Sequence, residues 1–259
     1  MKIKAVFFDI DGTYFDHVTN SVLPESIEAV KALKNNGYKV ALCSGRALCM
    51  AEKVPVFDGI EWDGFIGGGG NFVYDAQMKC IWKNTFRDEV MKEVFAIAKR
   101  QMLALYVTGE EIFLTQELNE AERSLLDIFH MHLPHHIHDW NGEEVHMMSM
   151  LGGKDYDYSA FEGLDNIALQ PSCEEIMDIV TANGNKAIGI SHLLEHLQIE
   201  QGAYLAFGDN LNDKEMLSEA AVGVAMGNCA SELRQYADII CAPSNEPGIA
   251  NTLKQLKLI

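Results

Sequence analysis

The chain has 259 residues, 48% of them hydrophobic and 22% charged, a length that supports either one large α/β domain or a main domain carrying a smaller insert. That composition excludes a mostly disordered protein. Asp and Glu outnumber Lys and Arg by 38 to 20, and the formal charge of -18 opposes attraction to nucleic acid or to an anionic membrane.

The same charge repels a phosphorylated ligand at long range, so an anion site here needs a local positive source such as a bound metal cation. Cys43, Cys49, Cys80, Cys173, Cys229 and Cys241 form no Cys-x-x-Cys pair, which argues against a zinc ribbon or a dense disulfide framework and for reduced thiols in a cytoplasm. The apolar start up to Phe8 is too short for a signal peptide, and no run of about 18 apolar residues occurs elsewhere. A soluble, unexported protein is expected.

Residues 3–8 are β-branched or aromatic except Lys4 and Ala5, and they predict a buried strand ending abruptly at Asp9-Ile10-Asp11-Gly12-Thr13. Alternation past the strand end throws the two carboxylates to one side, and Gly12 permits a sharp turn. On the residues alone, turn-capping acids and a two-carboxylate reaction site are both open readings. Pro24 to Asn36 follows as a helix with Ile27, Val30 and Leu33 on one face and Gly37 at its C-cap, and Tyr38 to Cys43 is a second buried strand.

From about Asn84 to Asn183 the texture changes to amphipathic helices, Val90 to Lys99 and Asn119 to Phe129, and alternating segments such as Glu143 to Leu151. Met147, Met148 and Met150 read as strand packing, as do Trp62, Trp82 and Trp140 as core residues. His130, His132, His135, His136 and His138 could in principle present imidazoles to zinc or nickel. Pro134 breaks any helix that would array them and no cysteine lies close, so a solvated loop is preferred, with a metal site or a substrate-facing lid loop as alternatives.

The strand and helix pattern then returns: a helix over Ala187 to Leu197, a strand over Tyr204 to Phe207, a helix over Asp213 to Ala221, and strands at Val222 to Ala225 and Ala237 to Cys241. The fold expected is α/β, a Rossmann-like parallel-sheet core of residues 1–83 and 184–259 with an inserted α+β cap of residues 84–183, joined by two linkers that permit a hinged lid. Asp9, Ser44 and Asp209 all stand at strand carboxyl ends, where such sheets build their sites.

Asp9-Ile10-Asp11-Gly12-Thr13, Leu42-Cys43-Ser44-Gly45-Arg46, Lys186 and Gly208-Asp209-Asn210-Leu211-Asn212-Asp213, taken in order, resemble the haloacid dehalogenase-like hydrolases, and among them the Cof-like phosphatases with a type IIB cap. The likeness extends to Val224-Ala225-Met226-Gly227-Asn228 and Ala237-Asp238 and covers the core from end to end. It implies that Asp9 is the nucleophile and a magnesium ligand, and that Asp11 is the acid/base and offers its main-chain carbonyl to Mg2+. Asp209 is implied as a second carboxylate ligand and Asp213 as an acid supporting the water shell of the metal. Ser44, the Gly45 amide, Ile10 and Asn212 are implied as phosphate-binding groups, and Lys186 as the cation that neutralises the nucleophile and the phosphoryl oxygens. Read alone, Ser44 is an ordinary helix N-cap, Lys186 a solvated surface residue and Asn212 turn chemistry.

The resemblance implies a magnesium-dependent phosphatase acting on a small phosphorylated metabolite, sugar phosphates foremost, with no nucleic-acid or membrane partner. Phosphotransfer to a sugar is a second reading, and a non-catalytic phospholigand-binding protein a third. Intact acids at Asp9, Asp11, Asp209 and Asp213 argue against the third. Three positions depart from the pattern: Gly69-Gly70-Asn71 stands where an Asn-Gly-Ala turn is usual, Tyr14 replaces an aliphatic residue, and Pro247 stands where aspartate is common.

Overall fold

The strand expected at the start of the chain forms over Ala5–Phe8 with all four residues buried, and it lies inside an eight-stranded sheet. The computed structural model describes residues 2–109, 111–128, 131–171 and 174–259. Its contacts divide the chain into two units, Met1–Lys83 with Gly184–Ile259, and Asn84–Asn183.

In the first unit the strands follow the order Ile239–Ile240, Val222–Ala225, Tyr204–Gly208, Ala5–Phe8, Lys39–Cys43, Gly64–Gly67, Phe72–Asp75 and Cys80–Lys83. The first six run parallel and the last two are added antiparallel. Alternation sorts the central strands onto two cores, as a parallel sheet covered on both faces requires. Val6 and Phe8 pack with Leu42, Phe65 and Phe207 under Val30 and Leu33 of the helix Pro24–Asn35. Ala5 and Phe7 pack with Ala41, Ile66 and Ala206 under Ile190, Leu193 and Met216. Each large apolar side chain so buried contributes ~1.5–3 kcal/mol. From Ala5–Phe8 the chain proceeds to neighbours on both sides, so the order reverses at this strand and a crevice opens at its carboxyl end. Asp9 is the next residue.

The helix anticipated over Asp213 to Ala221 forms as a 3₁₀ turn, Leu211–Asp213, followed by a short α-helix, Lys214–Ser218. The Asp213 carboxylate folds back to accept the amides of Asp209 at 2.9 Å and Asn210 at 3.1 Å, and this ties the first turn to the preceding strand end.

The second unit is a six-stranded sheet in the order His136–Ile137, Ile112–Leu114, Leu105–Gly109, Val145–Met150, Met177–Thr181 and Ile167–Pro171. All its pairings are antiparallel except that of the edge strand His136–Ile137. The helix Asp88–Gln101 packs Val94 and Ile97 against Leu105, Val107 and Met148, while Leu126 of the helix Glu120–Ile128 joins Tyr106 and Leu114. Met147, Met148 and Met150 are buried, as are Trp62 in the first unit and, in part, Trp140 against Phe95.

His130 and Cys173 lie outside the described residues. His132, His135 and His136 are exposed, and His138 stacks on Phe113 with ring centroids 4.1 Å apart. Cys43, Cys49, Cys80, Cys229 and Cys241 are free thiols. Among the described residues, no helix is long and apolar enough to cross a membrane.

Candidate active site

Three parallel strands end together, and each delivers one loop. After Ala5–Phe8, the Asp9 amide donates to the Phe207 carbonyl at 2.9 Å, and Ile10, fully buried, accepts the amides of Thr13 and Phe15. Gly12 has φ +73°, and a Cβ there would lie 2.3 Å from Oδ2 of Asp209, so both the turn and the close approach of the third loop demand glycine. Asn228 fastens the same two loops, donating from Nδ2 to the Gly12 carbonyl at 2.8 Å and to Asp209 Oδ2 at 3.5 Å.

Lys186 is the first residue of the helix Lys186–His196, whose N-cap Asn185 accepts the Ile188 amide at 2.9 Å. A cation at a helix N-terminus opposes the helix dipole. It is held there by two carboxylates: Nζ lies 2.5 Å from Oδ1 of Asp9 and 2.5 Å from Oδ1 of Asp213, with Lys186 only 1% exposed. Gly70, the glycine that this turn shares with the usual Asn-Gly-Ala, has its reason here. Gly70 has φ +104°, and a Cβ on it would fall 1.9 Å from the Asn185 carbonyl oxygen, so this glycine lets the start of the lysine helix reach the sheet. Asn71 is buried and donates to the Gly68 carbonyl at 2.8 Å.

The electrostatics are those of a charge cluster short of one cation. Burial and the charge of Asp213 push the Asp9 carboxyl well above its usual range, and the opposing attraction of Lys186 does not cancel them. Burial and Asp213 likewise raise Asp209, to about 7. Burial works against the charge on Lys186, but Asp213 and Asp9 outweigh it and hold the amine protonated. One carboxylate oxygen from each of Asp9, Asp209 and Asp213 lies within 4.8 Å of the others, a set of hard oxygen donors that suits a divalent cation such as magnesium. A cation there would remove the repulsion that raises Asp9 and Asp209, so the donor set and its charge deficit both fit a metal. Asp213 differs from the other two, since its oxygens already accept Lys186 and two backbone amides.

Asp11 meets different partners. Arg46 takes its carboxylate in a fork, Nε to Oδ2 at 2.7 Å and a terminal nitrogen to Oδ1 at 2.8 Å, while Nε2 of His17 sits 2.8 Å from Oδ1. Burial would raise this acid, but the hydrogen bonds from His17 and Arg46 outweigh it and hold Asp11 far below the usual carboxylate range. Ser44 is buried, with its amide on the Ile66 carbonyl at 2.8 Å and its Oγ accepting the Arg46 amide at 3.1 Å. Asn212 is exposed, and its Nδ2 lies 3.7 Å from where a Cβ on Gly45 would stand, so these two loops are neighbours. Asp9, Lys186, Asp209 and Asp213 therefore form one cluster, Ser44, Gly45 and Asn212 line adjacent loops, and Asp11 is engaged by Arg46. Sequence reasoning overlooked Arg46, although it closes the quoted Ser44-Gly45-Arg46 segment, and also His17, Asn228 and Gly70. Asn228 likewise closes the quoted Val224-Ala225-Met226-Gly227-Asn228 segment, whereas for His17 no local signal exists, because its partner is set by the fold.

A parallel sheet with clustered acids at its switch point and a buried lysine defines a class of hydrolases, and comparison with known proteins identifies it. The model of the haloacid dehalogenase-like hydrolases matches residues 6–253, and the chain belongs to that family. YkrA of Bacillus subtilis (strain 168) is 30% identical over 265 residues spanning 100% of both chains. Phosphatase YwpJ of the same organism is 23% identical over 98% of this chain and 100% of its own. Among solved structures, a protein of Geobacillus kaustophilus HTA426 superposes with a TM-score of 0.89 at 29% identity, covering 99% of this chain and 100% of that one. BT1666 of Bacteroides thetaiotaomicron, described among phosphatases of the superfamily, shares the fold with a TM-score of 0.88 at 23% identity over 100% of this chain and 96% of its own. The chain is accordingly an enzyme, a hydrolase of the phosphatase type.

Proposed function

We propose that the chain hydrolyses small phosphate monoesters, sugar phosphates or similar metabolites, through an aspartyl-phosphate formed on Asp9. The observation that carries this reading is the buried contact of Lys186 with Asp9 at 2.5 Å, inside a cluster of acids at the sheet's switch point. Asp9 attacks the phosphorus in line with the ester oxygen; the new O–P bond forms as the P–O ester bond breaks, and Asp11, which Arg46 and His17 hold ionised at rest, takes a proton from solvent as the substrate binds and gives it to the leaving alcohol. Asp11 then takes a proton from water, the resulting hydroxide attacks phosphorus, and Asp9 leaves as a carboxylate with inorganic phosphate released. Throughout, Lys186 neutralises Asp9 and the phosphoryl oxygens, while Ser44 Oγ, the amides of Ile10 and Gly45, and Asn212 hold the equatorial oxygens.

Asp9, Asp209 and the main-chain carbonyl of Asp11 are the proposed ligands of magnesium, with Asp213 supporting its water shell through the hydrogen bonds that hold Asp209. When bound, the ion supplies positive charge to the phosphoryl group that a chain of formal charge -18 otherwise repels. We assign residues 84–183 as the cap that selects the leaving group, and a reducing cytoplasm as the setting that suits its free thiols.

A panel of phosphorylated metabolites, assayed with magnesium and again with excess chelator, tests the reading. Turnover of at least one monoester class that stops on chelation is the expected result. Turnover indifferent to chelation would remove magnesium from the proposal, and no turnover of any ester would remove the phosphatase.

A further inference from the structure

A turn without side chains joins two pieces of the site. Gly68, Gly69 and Gly70 follow one another with φ of +59°, +65° and +104°. On one side the amides of Gly68 and Gly69 donate to the carbonyls of Arg46 and Ser44 at 2.9 and 3.0 Å. On the other, the Gly70 backbone lies against the Asn185 carbonyl and the Lys186 amide, so close that a Cβ on it would fall 1.9 and 2.8 Å from them. The run therefore spaces the Ser44-Gly45 loop from Lys186. Three glycines in a row are the softest backbone a chain offers, since each has the widest choice of φ and ψ and no side chain to pack. A group outside the run has to hold the spacer in one shape.

Asn71 is that group. It is 1% exposed, and its Nδ2 reaches back to donate to the Gly68 carbonyl at 2.8 Å, closing the turn across the glycines. The same carboxamide packs where the chain re-enters the core unit at Gly184. A Cβ on Gly184 would fall 1.9 Å from Oδ1 of Asn71, 2.5 Å from its Cγ and 2.6 Å from its Nδ2. Gly184 has no left-handed φ, so the close approach of Asn71, not the backbone conformation, asks for glycine there. Two residues further on stands Lys186, with Nζ 2.5 Å from Oδ1 of Asp9. One buried side chain thus grips both the glycine spacer and the segment that delivers the lysine.

Resting on the phosphatase reading above, we propose that Asn71 is a positioning residue for phosphoryl transfer: its carboxamide locks the turn Gly68–Gly70 to the chain at Gly184 and so fixes Lys186 relative to the Ser44-Gly45 loop. Asn71 acts through these groups and touches no reacting atom. Its effect belongs to the transition state. Charge on the phosphoryl oxygens is then shared between Lys186 and the loop at one set spacing, whereas a bound phosphate ion tolerates a looser one.

Asn71→Ala, assayed in saturating magnesium on the best ester of the metabolite panel, should lower kcat by roughly ten- to a hundredfold, the cost of a misplacement on the order of 1 Å. Two inhibitors separate positioning from damage to the fold, because an inhibition constant does not depend on the fraction of enzyme folded. Orthovanadate, which mimics the five-coordinate phosphorus, should inhibit the variant about tenfold more weakly, and inorganic phosphate less than about threefold more weakly. Gly184→Ala places a methyl against the carboxamide and should lower kcat by the same route. Its loss should therefore not multiply with that of Asn71→Ala, and the double variant is expected near Asn71→Ala alone. Thermal melting checks the fold of each variant. If Asn71→Ala is not folded at the assay temperature, Asn71→Asp, of the same shape but unable to donate when ionised, takes its place in the inhibitor comparison. A vanadate constant that changes no more than the phosphate constant, or losses that multiply in the double variant, overturns the inference while leaving the phosphatase intact. Failure of the wild-type enzyme to turn over any monoester overturns both.

Discussion

At Asp209, burial and the charge of Asp213 act together, and the carboxyl rises to about 7. An unfolded aspartate titrates near ~3.9. Between these values the folded chain binds a proton that the unfolded chain has lost, so the folded state loses stability as pH climbs from ~3.9 toward 7, and above 7 the full cost of the ionised group is present. A divalent cation bound by ionised carboxylates relieves that cost and must compete with the proton below it. Saturating magnesium should therefore raise the melting temperature by about 5 °C at pH 8 and by much less at pH 5. Equal shifts at the two pH values would mean that these acids are not the ligands. The sequence placed Asp9 and Asp209 at strand carboxyl ends, while the roles expected of Asp9, Asp11, Asp209 and Asp213 came from the resemblance of the motifs to a family. It did not disclose that Asp11 belongs to Arg46, a partner 35 positions away, since either acid of the Asp-x-Asp pair could have faced Lys186.

Among the elements, the start of the helix Lys186–His196 matters most for the site, and the run Gly68–Gly70 decides where it sits. A methyl at Gly70 would meet backbone, which cannot rotate away, at a φ of +104° that costs a non-glycine residue on the order of 1–3 kcal/mol by itself. Gly70→Ala should lower unfolding stability by at least ~2 kcal/mol in urea and lower kcat by displacing Lys186; a variant of wild-type stability would contradict the packing described. On the opposite end of the sheet, Asp63, just before the strand Gly64–Gly67, links two further elements to it, accepting Lys34 of the helix Pro24–Asn35 at 3.1 Å, and Lys39 at 2.8 Å and the Val40 amide at 3.0 Å from the strand Lys39–Cys43. Burial alone would raise this acid, but Lys39 and the Val40 amide pull it down. Its folded-state pKa is depressed, so the stability it supplies is whole above the unfolded value near ~3.9 and is lost as pH falls through the lower folded value. Asp63→Asn should flatten the acid limb of the stability curve below about pH 4; an unchanged acid limb would exclude the link. The strands with strong β-branched or aromatic runs, Ala5–Phe8, Lys39–Cys43 and Tyr204–Gly208, were legible in advance. Gly64–Gly67 was not, because two of its four residues are glycines that carry no pattern, and Cys80–Lys83 escaped because it is a half-exposed edge.

For the molecule as a whole, a formal charge of -18 and a phosphorylated substrate are reconciled by the buried Lys186 and a carboxylate set that suits a metal. Alternating core elements on both sides of a differently textured insert are what the sequence leads one to expect, since periodicity and length change together near residues 84 and 183, and the contacts divide the chain into Met1–Lys83 with Gly184–Ile259 and Asn84–Asn183. The insert's own sheet was only partly visible: Val145–Met150 alternates, whereas Ile167–Pro171 and Met177–Thr181 are short and carry proline or acid within them. The proposed mechanism turns on one bond between Asp9 and phosphorus. The most direct measurement is turnover of p-nitrophenyl phosphate in saturating magnesium by Asp9→Asn, a nearly isosteric change that removes the nucleophilic oxygen and leaves the fold. A fall in kcat of about a thousandfold or more is the predicted result, and turnover at the wild-type rate would contradict covalent catalysis at Asp9.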